Sequence, residues 1–192
     1  ALIAFQTAYL KTYYKEDFIA ATMSTEMTNT SKLREFVQEL KRLRVEVIRP
    51  SINYCYADFK ASNNKIFYGL GAIKNVGYEA ITNIIVEREK NGKYKSLQDF
   101  VKRVNPKDIN KLQLEGLVKS GAFDELDINR KKLLFSIPDI IKQIKNNYDE
   151  KINKQSSLFE NQITDINDFK LNENINWTKK ELLLEEFKSL GF

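Results

Sequence analysis

Apolar residues recur at intervals of three and four along most of the 192-residue chain, and this spacing predicts a mainly helical protein. Residues 1–22 predict one or two helices rich in aromatic side chains, and a helix with one apolar face is predicted from Ser31. A short extended segment should follow it and stop at Pro50. Short extended runs at 58–60 and 65–68, separated by Ala-Ser-Asn-Asn, predict a small β-hairpin.

The segment 66–86, IFYGLGAIKNVGYEAITNIIV, contains the clearest change of pattern. It predicts a short helix, a tight turn at 75–77 and a second helix that ends near Asn91 and Gly92. The second helix has its apolar residues on one side: Ala80, Ile81, Ile84 and Ile85. This arrangement is a helix–hairpin–helix, in which backbone amides are exposed at the start of the second helix.

The same order of elements occurs again about 40 residues later. Residues 109–119 predict a helix, 120–122 a second glycine turn, and 129–148 a further helix that Pro138 should kink or divide. Between the two units, residues 96–99 resemble a capping box that begins one more helix. The predicted fold is therefore mainly α, with a tandem helix–hairpin–helix domain and a small β-hairpin.

The last part of the chain is different in character. Residues 146–176 are rich in Asn, Asp, Glu, Lys and Gln with isolated apolar residues, which predicts a flexible linker. A capping box at 178–181, with a hydrophobic staple from Trp177 to Leu182, predicts a final helix to about residue 190.

Composition excludes several classes of chemistry. Histidine is absent and Cys55 is the only cysteine, so zinc fingers, disulfide frameworks and Cys/His or Ser/His catalysis are excluded within this chain. The sequence has no Gly-rich phosphate loop and no Asp-x-Asp pair for Mg²⁺. We therefore expect no cofactor in this chain and no activity of the chain alone. No apolar run is long enough for a membrane span, and one cysteine suits a reducing cytoplasm.

The positive charge is concentrated in the middle of the chain. The net charge is +1 for residues 1–59, +6 for 60–135 and −2 for 136–192. An acidic macromolecule is the expected partner of the middle third.

The first turn is the main candidate for that contact. Lys74, Asn75, Val76 and Gly77 combine a cation, a residue that tolerates the left-handed conformation and a glycine that lets the backbone approach a phosphate. The positive end of the following helix dipole favours a phosphate there. The alternative is an ordinary turn between packed helices. If the turn binds DNA, it should hold the backbone without reading bases.

The second turn, at Lys119, Ser120, Gly121 and Ala122, is the weaker candidate. Acidic residues directly after it, beginning with Asp124, would repel a phosphate. Its alternative role is purely structural.

Two further features invite a functional interpretation. In the polar linker, Gln155 is followed three positions later by Leu158 and Phe159, as in a disordered peptide that docks into a pocket; the alternative is packing onto the domain. Near the start, Phe5, Tyr9 and Tyr13 follow helical spacing. We interpret that row as helix packing, with base stacking as the alternative.

These residues together resemble the bacterial replicative DNA polymerase III alpha subunits. The matching runs occur in order along nearly the whole chain: AFQTAYLKTYY, EDFIAA, VIRPSIN, KIFYGLGAIKNVG, LEGLVKSGAFD, NRKKLL, QSSLF and ELLLEEFKSLGF. The family commonly has glycine where this chain has Asn75, so the first turn here is expected to hold a phosphate less closely.

The resemblance implies a piece of a longer protein with four parts. These are the end of a helical fingers domain (1–50), the tandem helix–hairpin–helix DNA-binding domain (51–145), a linker with a clamp-binding motif (146–176) and a helix leading to an oligonucleotide-binding fold (177–192). It implies that Gln155, Leu158 and Phe159 bind the sliding clamp.

The resemblance also implies that the parent is a DNA-directed DNA polymerase, a nucleotidyltransferase that uses Mg²⁺. Its implied partners are primer–template duplex, the clamp and other replisome subunits. Two alternatives stay open: a non-enzymatic helix–hairpin–helix scaffold that binds nucleic acid, and a helical protein–protein adaptor.

Overall fold

A computed structural model describes residues 1–153 and 176–191. The described part is mainly helical with one small sheet, which confirms the predicted fold class. The α-helices are α1 (Leu2–Tyr13), α2 (Lys15–Thr25), α3 (Thr30–Arg42), α4 (Tyr78–Asn91), α5 (Leu97–Arg103), α6 (Lys111–Ser120), α7 (Arg130–Asn153) and α8 (Lys179–Leu190).

The sheet contains the predicted hairpin and one strand that was not predicted to pair with it. Strands β2 (Lys60–Ser62) and β3 (Lys65–Phe67) are antiparallel, and the two asparagines between them have φ of 51° and 58°. Asparagine tolerates this left-handed conformation, so the tight turn forms without glycine. Strand β1 (Glu46–Ile48) pairs in parallel with β3, giving the order β1-β3-β2.

The aromatic row of α1 does not pack as we interpreted it. Among the described residues, α1 contributes no buried side chain, and Phe5, Tyr9 and Tyr13 are all exposed. The rings contact each other instead, with centroids 6.4 and 4.6 Å apart. The i, i+4 spacing therefore produces a ladder of rings on one face of the helix, and it does not indicate burial.

One continuous core joins the sheet to the helices that follow it. Tyr94, Phe100 and Phe123 stack edge to face in its centre, with successive centroids 5.1 and 5.0 Å apart. The buried guanidinium of Arg88 donates to the carbonyls of Ile52 and Cys55, and so attaches α4 to the segment between β1 and β2.

Helix α7 is longer and less interrupted than predicted. It passes through Pro138 without ending, because buried residues before and after the proline face the same core. It also continues to Asn153, so the predicted linker cannot begin at 146. Contacts with α5 sustain this extension: the side chains of Asn147 and Lys151 donate to carbonyls of that helix.

The structure contains the helix caps that the sequence predicts for α4, α5 and α8. Ser96 accepts from the Asp99 amide at the start of α5, and Thr178 and Glu181 form a reciprocal capping box at the start of α8. Gly92 ends α4 with φ of 82°.

Candidate nucleic-acid interface

The first turn joins a 3-10 turn at Leu70–Ala72 to the start of α4 at Tyr78. Lys74, Asn75 and Gly77 are exposed, whereas Val76 is buried. Asn75 has φ of 66°, the left-handed conformation that its residue type tolerates. The Lys74 side chain and the backbone near Gly77 are therefore exposed to solvent, whereas the apolar Val76 side chain packs into the core.

The amides at the start of α4 are open. Gly77 is the N-cap residue that precedes the helix, and no side chain caps this end. Within 1–153 and 176–191, no group accepts a hydrogen bond from the amides of residues 77–80. These are the donors that a helix leaves unsatisfied at its positive end, and an anion can satisfy them.

Two distant helices hold the turn in place. The Lys74 amide donates to the Ser189 carbonyl of α8 at 3.0 Å. Gly116 lets α6 approach so closely that a Cβ at that position would lie 2.5 Å from the Lys74 carbonyl oxygen. Sequence reasoning missed both supports. The signal for Gly116 was a glycine inside an otherwise helical pattern, which often marks close backbone approach; Ser189 gave no signal.

Acidic groups lie beside the turn and limit the surface that a phosphate could use. The Tyr78 hydroxyl donates to the Asp58 carboxylate at 2.6 Å, and this bond raises the pKa of Tyr78. Glu79 occupies the first turn of α4. A phosphate is therefore favoured on the side of Lys74 and Asn75.

The second turn is enclosed. Lys119 is paired with Glu185 of α8 at 3.1 Å, and Ser120 and Ala122 are buried. Gly121 has φ of 84°, and the Arg130 guanidinium fills the space beside it. The structure thus encloses the second turn, whereas it leaves Lys74, Asn75 and Gly77 at an open surface.

Arg130 is the charged centre of that enclosed region. Its side chain is 5% exposed and donates to Asp124 at 2.6 Å and Glu186 at 3.0 Å. Burial lowers the pKa of Arg130, but the bonds to the two carboxylates outweigh it and raise the pKa overall. The start of α7 also has its own cap, because the Asn129 side chain accepts from the Lys132 amide. The Arg130 amide donates to the Ile128 carbonyl, so in the first turn of α7 only the Lys131 amide is without an acceptor among the described residues.

The remaining predicted site residues, Gln155, Leu158 and Phe159, lie outside the described residues. The described residues contain no group of three or more acidic or thiol side chains that could hold a metal ion. Within the same ranges, no helix combines the length and apolar character that crossing a membrane requires.

Comparison with known proteins agrees with this geometry. The helix–hairpin–helix motif family matches residues 44–133. The chain is 45% identical over 159 residues to the DNA polymerase III subunit alpha of Borreliella burgdorferi, covering 83% of this chain and 14% of that protein. It is 36% identical to the protein of that name from Campylobacter jejuni, over 100% of this chain and 16% of that protein. It is 35% identical to the one from Caulobacter vibrioides, over 100% of this chain and 17% of that protein. The chain thus spans about one sixth of the length of these relatives.

Proposed function

The chain belongs to the family of bacterial DNA polymerase III alpha subunits, and we propose that it holds duplex DNA by the phosphate backbone at the turn formed by Lys74, Asn75, Val76 and Gly77. The observation that carries the proposal is the open row of amides at 77–80 beside an exposed lysine. Backbone donors and one cation bind phosphate without distinguishing bases, so the affinity should be salt-dependent and tolerant of sequence.

Within this proposal the second turn has a structural role. The cation of Lys119 is already paired, and the buried Ser120 and Ala122 cannot reach a duplex without unpacking. The sequence pattern helix, glycine turn, helix is present twice. Among the described residues, the four consecutive amides of 77–80 have no acceptor at the first copy, whereas the amides of Arg130 and Lys132 have one at the second.

The test is fluorescence anisotropy of the 192-residue chain with a labelled 16-base-pair duplex at several salt concentrations. Gly77→Val should weaken binding at least fivefold, because its side chain would stand in front of the amides. The added Cβ would meet no atom closer than 3.9 Å, so the fold should persist. Lys74→Gln should reduce the slope of log K against log salt by about 0.9, the effect of one phosphate contact.

Two matched variants control for overall charge and for the second turn. Lys41→Gln changes an exposed lysine on α3, far along the chain from the turn, and should bind like the parent. Lys119→Gln removes an already paired cation and should also leave the salt slope unchanged. Equal affinity of Gly77→Val and parent chain, with both folded by circular dichroism, would refute the assignment of the turn.

At the level of the whole protein, we propose template-directed DNA synthesis. The described residues offer no carboxylate cluster for Mg²⁺, so this metal would be held by other parts of the polypeptide, and the present chain should not incorporate nucleotides alone. Nucleotide incorporation by the whole protein, and its absence from this chain, is the corresponding measurement. A whole protein that binds duplex but incorporates nothing would instead favour a non-enzymatic scaffold.

The proposal includes docking of Gln155, Leu158 and Phe159 to a sliding clamp, in a cytoplasmic complex with other replisome subunits. Its support is the isolated apolar pair in a polar segment. Leu158→Ala with Phe159→Ala should abolish binding to purified clamp in surface plasmon resonance, while the circular dichroism spectrum stays that of the parent. Unchanged clamp affinity would contradict it.

A further inference from the structure

A second positively charged feature lies at the other end of α4. A cleft of about 380 Å³ opens between the C-terminal half of α4, helix α5 with the loop after it, and the end of α7. We call it the lysine cleft, because three exposed lysines line it: Lys90, Lys102 and Lys151.

The lysines of the cleft have no acidic partner. None of the three ammonium groups lies within 4.0 Å of a carboxylate among the described residues. Lys151 instead donates to the backbone carbonyl of Lys102, which places the Lys151 ammonium group beside α5. Glu87 attracts Lys151 electrostatically without a direct ion pair. The three neighbouring cations still repel one another, and an anion between them would reduce that repulsion.

The two acidic residues that line the cleft are already engaged. Glu87 accepts from Arg103 at 3.1 Å and from Asn91 at 2.8 Å. Asp108 accepts from Asn83 at 2.8 Å. Both carboxylates keep their negative charge, but four cations line the same cleft, namely the three lysines and Arg103, so its net charge is positive.

The negative end of the α4 dipole is also neutralised there. The Arg103 guanidinium donates to the carbonyls of Glu87 at 3.2 Å, Gly92 at 2.8 Å and Lys93 at 3.4 Å. Carbonyls at the end of a helix normally disfavour an anion. Arg103 reduces this obstacle, because its positive charge lies on those carbonyls.

We infer that the lysine cleft binds phosphate groups of the same DNA duplex that the turn at 74–77 contacts, and this inference rests on the proposed function. Residues 77 and 90 are 13 positions apart on α4, so the two sites are separated by about 20 Å along the helix. A stretch of B-DNA of that length is about six base pairs and carries about 12 phosphates, which is enough to serve both sites. A free nucleotide could not span them.

The experiment measures the salt dependence of duplex binding. Lys90→Gln, Lys102→Gln and Lys151→Gln are combined in one chain, and its affinity for the labelled 16-base-pair duplex is followed from 50 to 200 mM salt. Each lost phosphate contact lowers the slope of log K against log salt by about 0.9, so the slope should fall by about 2 to 3. The matched control is Lys15→Gln, Lys41→Gln and Lys142→Gln, which removes the same charge outside the cleft and should keep the parent slope.

The outcomes separate this inference from the proposed function. If the parent chain does not bind duplex, the proposed function fails and the inference with it. If the parent binds and the cleft variant keeps the slope of the matched control, the inference is overturned while the turn remains the site. A third measurement adds inorganic phosphate to the parent chain and follows the amide resonances of the cleft by NMR. If phosphate shifts these resonances while the three substitutions leave the salt dependence of duplex binding unchanged, the cleft binds free phosphate and its assignment to DNA is wrong.

Discussion

A single methyl group placed at Gly116 should test how the turn at 74–77 is supported. Gly116 lies inside α6, where the Lys74 carbonyl oxygen of the turn rests against its backbone. In Gly116→Ala the new Cβ would lie 2.5 Å from that oxygen and 3.4 Å from the Val76 side chain, whereas ordinary contacts begin at 3.4 Å. The turn and the helix must therefore separate by about 0.9 Å, because neither is a flexible side chain that can rotate away.

Two effects of opposite sign compete in this variant. Alanine in an open helix interior is more favourable than glycine by about 1 kcal/mol. Forcing extra volume into a packed contact costs about 1–3 kcal/mol, and the atom displaced here belongs to the backbone. The two effects leave a net loss of about 0–2 kcal/mol. Because a backbone atom cannot rotate away, we expect the upper half of this range, about 1–2 kcal/mol, or about 2–8 °C in Tm for a chain of this length.

The assay is urea unfolding of the parent chain and the variant, followed by duplex binding under folding conditions. Ala21→Gly, at an exposed position in the middle of α2, provides the control because it measures helix propensity in this protein without a steric term. It should cost about 1 kcal/mol. Duplex affinity of Gly116→Ala should fall as well, since the amides of the turn move. A variant as stable as the parent or more stable would show that the close contact does not constrain the turn.

Three further predictions concern the surroundings of the two turns. Arg130→Met should lower the free energy of unfolding, measured in urea, by about 2–3 kcal/mol. This loss is smaller than that for a fully buried ion pair, because the side chains of Asp124 and Glu186 are 38% and 23% exposed. A loss below about 0.5 kcal/mol would contradict the prediction. Asn75→Gly should raise stability by up to about 1 kcal/mol by relieving a φ of 66°, and a destabilised variant would show that the asparagine side chain is needed. Hydrogen bonds from Lys188 and, to a smaller extent, Lys119 lower the pKa of Glu185 in the folded chain. The stability that Glu185 contributes is therefore fully present above its pKa in the unfolded chain, and it is lost as the pH falls through its lower pKa in the folded chain. Glu185→Gln should flatten the acid limb of stability against pH, and an unchanged limb would count against the pairing.

Local sequence signals were sufficient for most of the helices and for the hairpin. The capping residues Ser96 and Thr178 marked the starts of α5 and α8, and Gly92 marked the end of α4, because each acts on the backbone within a few residues. The parallel pairing of β1 with β3 could not be predicted in the same way. It joins residues 46–48 to 65–67, and parallel pairing has no signature in the intervening sequence.

Periodicity also failed to distinguish a buried helix face from an exposed one in α1. The spacing of Phe5, Tyr9 and Tyr13 places the rings on one side of the helix, but whether that side is covered depends on what lies opposite. Among the described residues no other element covers this side of α1, and the three rings contact each other.

The candidate site shows the same division between local and distant causes. The turn itself follows from Asn75 and Gly77, whose conformations the sequence indicates. The reason that one turn is open and the other closed lies in α8, which begins 57 residues after the end of the second turn. At the first turn α8 contributes the backbone carbonyl of Ser189, which accepts from the Lys74 amide and leaves the amides of 77–80 free. At the second it contributes Glu185 and Glu186, whose carboxylates take the cations that a phosphate would need. Helix α8 thus stabilises both turns. It uses a backbone carbonyl at the first and carboxylates at the second, so among the described residues only the first keeps an unpaired lysine beside free amides, the combination that we propose binds an anion.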